Sequence, residues 1–498
     1  MQCKPIWFMC LFLFGFTAYA EEDFVKRAVM KIQTTHRYPD PFSPWNKSSP
    51  TESSGTGFLI ESDRILTNAH VVFYASQIYV TPNQSDEKLE ASVEAISYGL
   101  DLAVLKLQNA ESIRGTRPLT LDTELTPLRT DVSVYGFPIG GNQISITKGI
   151  VSRIEYAEIH ANQLGLRTQI DAATNPGNSG GPAISNGKVV GVAFSGIRHA
   201  DNIGYLIHST EVIGFLKDIE DGTCDGKPNF WDQFQPVENP ALRSKLQLPK
   251  GMGGVMISSV RGLTEESPLV QGDVITKIGP HALDWQGNVK VNDLTLSFLY
   301  YVPLLAENGS VPMTLWREGR EIELQCPTPN KVRLLVPDME GDYPKYFIFG
   351  PLVFEAATAQ VVESLISDKD WLLYLAMRQS PLLSSLSKPS TPQLEEIVFI
   401  PAPLFSHRST KGYRPIQLLV VRAINDVKIR SLAHLVEILR DCQDEFLEIQ
   451  FADYDSERLI FNRQELADAT DEVLADNGVR KQCSDVLLPV WNQGTPKE

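Results

Sequence analysis

A serine between glycines is the feature of this sequence that most clearly indicates chemistry. Ser179 lies in the segment GNSGG, residues 177–181. Glycines on both sides of a serine allow a tight turn that exposes the hydroxyl. They also let successive backbone N–H groups point toward one place, as an oxyanion hole requires. The segment therefore predicts that Ser179 is a nucleophile.

A serine hydroxyl attacks well only when a histidine accepts its proton and a carboxylate holds that histidine in the correct tautomer. His70 follows a short apolar run, and Asp101 is bounded by Leu100 and Leu102, as a buried orienting carboxylate should be. Alone, such a histidine or aspartate is more often an ordinary core, surface or turn residue. Together they predict His70 as general base and Asp101 as its orienting group.

The order of the three residues along the chain separates two classes of hydrolase. Histidine, then aspartate, then serine is the order of the chymotrypsin fold, whereas the α/β-hydrolases place the serine first and follow it with a helix. Here the segments after Ser179, residues 183–184 and 188–194, have the composition of strands. The order and the strands both disfavour an α/β-hydrolase that cleaves small esters.

The elements that must position these residues are mostly short strands. From residue 25 to about residue 216, β-branched runs alternate with Gly, Asn and Pro, which is typical of a barrel or sandwich. Apolar residues at helical spacing predict a closing helix at residues 211–218, and Gly and Pro among charges predict a linker at 223–240. Later segments again suggest strands, and they suggest a helix at 432–440 with Ser431 as its N-cap.

Five ordered segments resemble conserved blocks of the HtrA/Deg serine proteases: GTGF (55–58), TNAHVV (67–72), DLAVL (101–105), TKGIVS (147–152) and residues 171–182. The resemblance implies an endopeptidase that acts without ATP or a cofactor on misfolded or exposed polypeptides. It implies His70, Asp101 and Ser179 as catalytic residues, and the N–H groups of Gly177 and Ser179 as the oxyanion hole. It also implies a homo-oligomer built from trimers.

The same resemblance implies a mainly β fold, with a chymotrypsin-like double β-barrel protease domain and two PDZ-like α+β domains. The boundaries expected are a signal peptide at 1–20, the protease domain at 21–222, PDZ-like domains at 241–330 and 340–498, and the linker between the first two domains. Residues 268–275 are similar to the bacterial PDZ strand-turn signature. The second domain further resembles that of the long Deg proteases first known from plants.

Peptide binding is expected at the first PDZ-like domain. The residues that stand where such a domain has its carboxylate-binding loop are Gly253, Gly254, Val255 and Met256. A peptide C-terminus would then add as a strand beside residues 255–258. The alternative left open is that this edge packs against a neighbouring domain. The second domain lacks a clear glycine-rich loop, which favours a role in assembly.

The primary specificity pocket of this fold has its floor six residues before the nucleophile, at Ala173. The wall strand includes Phe194, Ser195 and Gly196. Because Ala173 offers no carboxylate to a buried Lys or Arg, small or medium aliphatic residues are expected before the scissile bond. Asp171 is expected to order the loop and not to reach the pocket.

The N-terminus has the features of a secretory signal: Lys4, an apolar run at residues 5–19, and Ala18 and Ala20 at a cleavage site. A periplasmic or otherwise exported protein is therefore expected. A membrane anchor is the alternative, but the run is shorter than the roughly 18 residues that a span needs, and no later segment is suitable.

The net charge limits which binding partners are expected, and the cysteine spacing limits which metal sites are expected. The formal net charge of −16 repels phosphate backbones, so nucleic acid is not an expected partner. Once the signal is removed, the remaining cysteines are Cys224, Cys326, Cys442 and Cys483, which show no metal-type spacing and whose pairing stays open. A non-proteolytic PDZ chaperone or scaffold is the alternative function, and its sequence mark would be the loss of a triad residue.

Overall fold

The computed structural model describes residues 22–160, 163–173, 175–194, 203–261 and 267–493. The predicted signal peptide lies outside these residues, as do Ser195 and Gly196 of the predicted pocket wall. The described chain forms two compact units, divided at residues 36/37, 49/50 and 331/332. The first unit contains two β-barrels and the first PDZ-like domain. The second contains the second PDZ-like domain and residues 37–49.

The first barrel follows a short helix, α1 (residues 22–28), and closes with the strand order β1-β2-β3-β6-β5-β4. Its strands are β1 (Val29–His36), β2 (Thr51–Leu59), β3 (Arg64–Thr67), β4 (Ala75–Pro82), β5 (Leu89–Ser97) and β6 (Leu102–Leu107). Ile32, Phe58 and Val104 are among its fully buried side chains. Closure leaves no unpaired sheet edge, so the strand ends can present loops on a rigid frame.

The second barrel has the strand order β10-β11-β12-β9-β8-β7. Its strands are β7 (Asp131–Gly136), β8 (Ser145–His160), β9 (Gln163–Ile170), β10 (Pro182–Ser185), β11 (Lys188–Phe194) and β12 (Gly204–His208), and α2 (Ser209–Asp218) follows. Burial lowers the pKa of His208 to about 4, so its neutral ring can accept the Thr210 N–H and cap α2. The predicted double barrel and the predicted closing helix are both confirmed.

The first PDZ-like domain is a sheet with the order β13-β14-β15-β19-β20, and a two-stranded hairpin beside it. Its strands are β13 (Gln233–Pro236), β14 (Val255–Ser259), β15 (Val274–Ile278), β16 (His281–Ala282), β17 (Asn288–Val291), β18 (Leu294–Ser297), β19 (Ser310–Arg317) and β20 (Arg320–Pro327), and its helices are α3 (Pro240–Lys245) and α4 (Val302–Leu305). The segment predicted as a linker, residues 223–240, thus supplies a strand to this sheet.

The expected site of peptide addition is corrected by this sheet. β14 is an internal strand, paired with β13 along Val255–Ser259 and with β15 at Val255 and Met256. Because both sides are occupied, a peptide cannot add beside residues 255–258. Gly253 and Gly254 serve packing, since a Cβ at Gly253 would collide with Leu283 O and Gly254 N–H donates to Asp284 O at 2.8 Å. The outermost strand on this side is β13.

The second PDZ-like domain has a sheet with the order β21-β22-β23-β24-β26-β27, and β25 pairs with β24. Its strands are β21 (Tyr346–Phe349), β22 (Leu352–Ala356), β23 (Val398–Ile400), β24 (Leu419–Ile424), β25 (Val427–Lys428), β26 (Phe446–Phe451) and β27 (Leu459–Asn462). Its helices are α5 (Ala359–Ser367), α6 (Lys369–Met377), α7 (Pro381–Ser384), α8 (Leu432–Asp441), α9 (Arg463–Asp476) and α10 (Leu488–Asn492). The predicted helix at 432–440 is confirmed as α8, and Ser431 Oγ accepts His434 N–H.

Residues 37–49, which connect β1 to β2 along the chain, are built into this second unit. Tyr343 OH donates to Arg37 O at 2.7 Å, and Lys47 Nζ lies 3.9 Å from the centre of the Tyr343 ring. The ring centres of Trp45 and Phe405 are 5.5 Å apart. The connection is therefore a packed segment of the second unit.

The four cysteines of the described chain, Cys224, Cys326, Cys442 and Cys483, are free thiols. No helix among the described residues is long and apolar enough to cross a membrane.

Glu355, on β22, is a fully buried carboxyl group whose two oxygens have no hydrogen-bond partner among the described residues. Burial, reinforced by the charge of Asp40, raises the pKa of Glu355 well above its usual range. The folded state therefore keeps a proton that the unfolded state releases once the pH exceeds the ordinary carboxyl pKa. Between the ordinary carboxyl pKa and the raised pKa of Glu355, the free energy of unfolding falls by about 1.4 kcal/mol per pH unit.

We expect Glu355→Gln, which cannot ionise, to gain stability relative to the wild type as the pH rises. Thermal unfolding of both proteins from about pH 4 to about pH 8 measures this difference. The exposed Glu472→Gln is the control, and its difference from the wild type should stay constant. A difference for Glu355→Gln that does not change with pH would contradict the account of a protonated buried carboxyl.

Candidate active site

The pairing of β3 with β6 brings His70 and Asp101 together. The two strands are antiparallel, with Thr67 opposite Ala103. The end of β3 and the start of β6 therefore lie side by side. His70 stands in the short 3-10 helix Ala69–Val71 just after β3, and Asp101 stands immediately before β6. Residues separated in sequence thus meet at one end of the first barrel.

Both carboxylate oxygens of Asp101 are engaged by His70. Asp101 Oδ2 lies 2.7 Å from His70 Nδ1, and Asp101 Oδ1 accepts the backbone N–H of His70 at 2.9 Å. An ionised carboxylate can only accept hydrogen bonds, so the nitrogen that contacts it, Nδ1, must carry the proton. Nε2 then keeps a free lone pair. Asp101 is 6% exposed, which shields its carboxylate from water.

Asn68 is a site residue that the sequence analysis did not single out. It is fully buried, and its Nδ2 donates to Asp101 O at 2.9 Å. Asp101 has a left-handed φ of 53°, which is uncommon for a residue other than glycine and needs support from its surroundings. Asn68 supplies such support. Its place in the TNAHVV segment was the signal that could have identified it.

Asp101 also determines how readily His70 takes up a proton. Burial lowers the pKa of His70, whereas the charge and the hydrogen bond of Asp101 raise it. The influence of Asp101 prevails, and the pKa of His70 lies above its ordinary value of 6.5. The imidazolium form is therefore stabilised, as a base that must hold a proton during a reaction requires.

Ser179 lies in a loop in which three backbone N–H groups donate hydrogen bonds to backbone carbonyl groups. Its internal donors are Asn178 N–H to Asn175 O (3.0 Å), Gly180 N–H to Ala193 O (2.8 Å) and Gly181 N–H to Asn178 O (2.9 Å). Within the described part of the chain, the N–H groups of Gly177 and Ser179 have no protein acceptor. These free donors are the ones that the sequence resemblance assigned to an oxyanion hole.

The Ser179 loop packs directly against the segment that carries His70. Gly180 has a φ of +85°, and a Cβ there would collide with Thr56 O and lie 3.1 Å from Asn68 N. Only glycine therefore allows this approach. Among the described residues, no hydrogen bond joins Ser179 Oγ to His70 Nε2. In proteases without substrate, such bonds are often long and tighten when substrate binds.

The predicted pocket residues are only partly described. Ala173 is half-buried and brings no charge, whereas Phe194 is buried and its ring centre lies 6.3 Å from that of Tyr205. Asp171 Oδ1 accepts Ile150 N–H at 2.6 Å, as expected of a residue that orders the loop. The described chain holds no group of three or more His, Cys, Asp or Glu side chains that could bind a metal ion.

Comparisons with known proteins agree with this geometry. A sequence-family profile for the trypsin-like peptidase domain matches residues 55–192, and one for the PDZ domain matches residues 336–486. Protease Do-like 2, chloroplastic, from Arabidopsis thaliana is 32% identical over 93% of this chain and 75% of its own length. Protease Do-like 4, mitochondrial, from the same plant is 32% identical over 91% of this chain and 84% of its own length.

This chain is also similar to an HtrA-type protease of known structure. The HtrA-type protease AlgW with a tripeptide is 21% identical, covers 62% of this chain and 96% of its own, and superposes with a TM-score of 0.49. The protease domain, the PDZ domain and the relatives confirm the resemblance seen in the sequence and identify a serine endopeptidase. This chain belongs to the HtrA/Deg (Do-like) family of serine proteases.

Proposed function

We propose that this endopeptidase cleaves misfolded or otherwise exposed polypeptides without ATP, with Ser179 as nucleophile, His70 as general base and Asp101 as the orienting group. One observation carries the assignment of the site. Within residues 176–181 the N–H groups of Asn178, Gly180 and Gly181 are bonded, whereas those of Gly177 and Ser179 have no acceptor among the described residues. One belongs to the candidate nucleophile itself and the other lies two residues before it, which is the spacing that the family resemblance assigns to an oxyanion hole.

The arrangement supports acyl transfer in two halves. Ser179 Oγ attacks the substrate carbonyl carbon, and its proton passes to His70 Nε2, the nitrogen that the Asp101 contact leaves unprotonated. The carbonyl oxygen, now negative, is held by the N–H groups of Gly177 and Ser179. His70 then protonates the leaving amine. A water molecule then attacks the acyl-enzyme, with the same groups in the same roles, and the second product is released.

Capture of extended peptides is proposed at β13 in place of the β14 edge that the sequence suggested. β13 is the outermost strand of its sheet, and an extended peptide can add to such an edge through backbone hydrogen bonds. Pro236 at the end of β13 lacks an N–H group, which limits the bonding register available to the peptide. This proposal is tested by replacing the residues of Gln233–Pro236 with alanine. Calorimetry then compares the binding of peptides that end in apolar residues to the wild type and to the variants.

The second PDZ-like domain is proposed to serve assembly, within a homo-oligomer based on trimers. Both edges of its sheet are covered by its own chain. On β27, Tyr413 OH donates to Ile460 O at 2.8 Å and accepts Ile460 N–H at 2.9 Å. On β21, Ile348 N–H donates to Gln482 O and Ser484 N–H donates to Tyr346 O. Strand addition there would require these contacts to break. Light scattering of the full chain tests the assembly.

The test of the proposed function is degradation of a permanently unfolded protein beside a stably folded one. Casein should be cleaved in buffer free of nucleotide, and added ATP should not change the rate. A folded domain of similar size should resist until it is destabilised. Cleavage that requires ATP, or equal cleavage of folded and unfolded substrates, would contradict the proposal.

The pH dependence of hydrolysis follows from the raised pKa of His70. His70 accepts the serine proton only when it is neutral, so kcat/KM should fall as the pH drops through the pKa of His70 in the free enzyme. Because that pKa lies above 6.5, the midpoint of the acid limb should lie above pH 6.5. Initial rates on a peptide substrate measure the profile. A flat profile below neutral pH would argue against His70 as the base.

Cleavage should occur mainly after small or medium aliphatic residues such as Val, Ala, Ile or Leu. Ala173 gives the proposed pocket floor no carboxylate, so a buried Lys or Arg would lack a partner. Discrimination among aliphatic residues should be weak, because each methylene contributes only about 1–3 kcal/mol. Mass spectrometry of casein digests identifies the sites. Cleavage mainly after Lys or Arg would overturn the pocket assignment and leave the triad intact.

From the N-terminal sequence, we propose that the protein is periplasmic or otherwise exported. The two Arabidopsis relatives carry chloroplastic and mitochondrial names, which apply to those proteins. N-terminal sequencing of the protein purified from its native source tests the proposal. A mature chain that begins after Ala20 would support it, and an intact Met1 would contradict it.

A further inference from the structure

Thr56, on β2, contacts the Ser179 loop through both its backbone and its side chain. Its N–H donates to Ser179 O at 2.9 Å, and its Oγ1 donates to Gly177 O at 2.7 Å. The same Oγ1 accepts Phe137 N–H at 2.9 Å. Thr56 is fully buried. We propose that Thr56 is a positioning residue that holds this loop in the conformation in which its N–H groups can bind an oxyanion.

Planarity of the peptide bond couples the carbonyl groups of this loop to its N–H groups. The C=O and N–H groups of one peptide plane point in opposite directions, so a bond that holds the carbonyl also fixes the direction of the N–H. Ile139 N–H donates to Pro176 O at 3.0 Å and so fixes the plane that contains Gly177 N–H. Gly181 N–H donates to Asn178 O and so fixes the plane that contains Ser179 N–H.

Thr56 fixes the remaining planes of the loop. Its hydroxyl holds the carbonyl of Gly177, which lies between the two donors, and its N–H holds the carbonyl of Ser179, which follows them. The same peptide plane is also held by the bond from Asn178 N–H to Asn175 O, so loss of the Thr56 bond would leave it held at one end only. A plane held at one end can rotate more readily and turn an oxygen toward the substrate carbonyl. An oxygen at that place would repel the oxyanion that the free N–H groups should stabilise.

A hydroxyl is required at this position because it must donate and accept at once. Valine has the shape of threonine but would leave Gly177 O and Phe137 N–H without partners. Water cannot replace the lost bonds readily, because the position is fully buried. Ile139, whose N–H holds Pro176 O, lies two residues after Phe137. Thr56 therefore contacts both the Ser179 loop and the segment that supports this loop at Pro176.

The inference rests on the proposed oxyanion hole, and its test measures transition-state binding separately from substrate binding. The variants are Thr56→Val, Thr56→Ser, and Thr56→Cys in case the valine variant does not fold. Thr34→Val is the matched control, because Thr34 is also buried in the first barrel but its Oγ1 has no hydrogen-bond partner in the described structure. For each, kcat and KM on a peptide substrate and the affinity for a peptide aldehyde are measured.

We expect Thr56→Val to lower kcat about 10- to 100-fold, somewhat less than direct loss of an oxyanion donor. Affinity for the aldehyde, whose adduct carries an oxyanion, should fall by a similar factor while KM changes little. Thr56→Ser should retain wild-type behaviour, and Thr56→Cys, with a weak donor, should follow Thr56→Val in direction. Thr34→Val should match the wild type.

Equal kcat and aldehyde affinity in folded Thr56→Val or Thr56→Cys and in the wild type would overturn the inference. So would a loss confined to KM, which would indicate a general effect on substrate binding. A wild-type enzyme that cleaves peptides with no measurable affinity for the aldehyde would overturn the inference as well. A wild type that hydrolyses no peptide would instead overturn the proposed function, and with it this inference.

Discussion

Ser179→Ala is expected to fold normally and to lose kcat/KM on peptide substrates by about four to six orders of magnitude. The reason is that His70 and the free N–H groups of Gly177 and Ser179 act on the reaction through the nucleophile. Without the hydroxyl, His70 has no proton to accept and no acyl-enzyme can form. Rates with a fluorogenic peptide at saturating and limiting concentrations measure the loss.

The control for this variant is Ser209→Ala, because Ser209 is also a buried serine and its Oγ has no partner in the described structure. It should keep wild-type rates. Both variants should unfold at nearly the wild-type temperature. Casein cleavage that persists in Ser179→Ala, after contaminating proteases are removed, would overturn the assignment of the nucleophile.

Asp101→Asn is expected to lower kcat by about four orders of magnitude. An asparagine amide would donate its N–H to His70 Nδ1, which places the ring proton on Nε2, the nitrogen that must accept the serine proton. The pKa of His70 should fall as well, because the charge and hydrogen bond that raise it are lost. Activity and the histidine NMR resonances, followed against pH, measure both effects.

Asp86→Asn, at an exposed position in the loop after β4, should leave both quantities unchanged. Wild-type activity in Asp101→Asn would show that Asp101 does not orient the base. A lowered pKa with full activity would show that Asp101 sets the proton affinity of His70 without determining its tautomer.

The chemistry could be read from the sequence because it depends on residue types within short segments. GNSGG at 177–181 needs glycine at Gly180, where a Cβ would collide with Thr56 O. The segments around His70 and Asp101 are set by the ends of two strands, which a run of β-branched and apolar residues predicts well. Local patterns therefore identified the catalytic candidates and a barrel or sandwich, and the family resemblance specified the double barrel.

The peptide edge could not be read correctly, because an edge is a property of the whole sheet. Val255–Ser259 has the pattern of a strand, and it is one, but nothing within it shows that Gln233–Pro236 covers one side. Gln233–Pro236 is short, polar and ends in proline, so it resembles a linker more than a strand. Only the pairing of distant residues reveals which strand is outermost.

Support residues were missed for a similar reason. Thr56 and Asn68 lie inside segments that the sequence singled out, yet their roles depend on partners far away in the chain, Gly177 and Asp101. Neither residue type indicates chemistry by itself. The packing of residues 37–49 in the second unit also depends on residues far away in the chain, since their aromatic partners lie beyond residue 340.

The central claim, that Ser179 is the nucleophile of an active serine protease, is tested most directly by covalent labelling. A fluorophosphonate reacts with a serine hydroxyl only where a base and an oxyanion hole activate it. Incubation of the full chain with the reagent, followed by digestion and mass spectrometry, should place one adduct on Ser179, with none formed in His70→Ala. Absence of an adduct on Ser179 in a folded wild-type protein that cleaves casein, or an adduct on another serine that abolishes cleavage, would contradict the account.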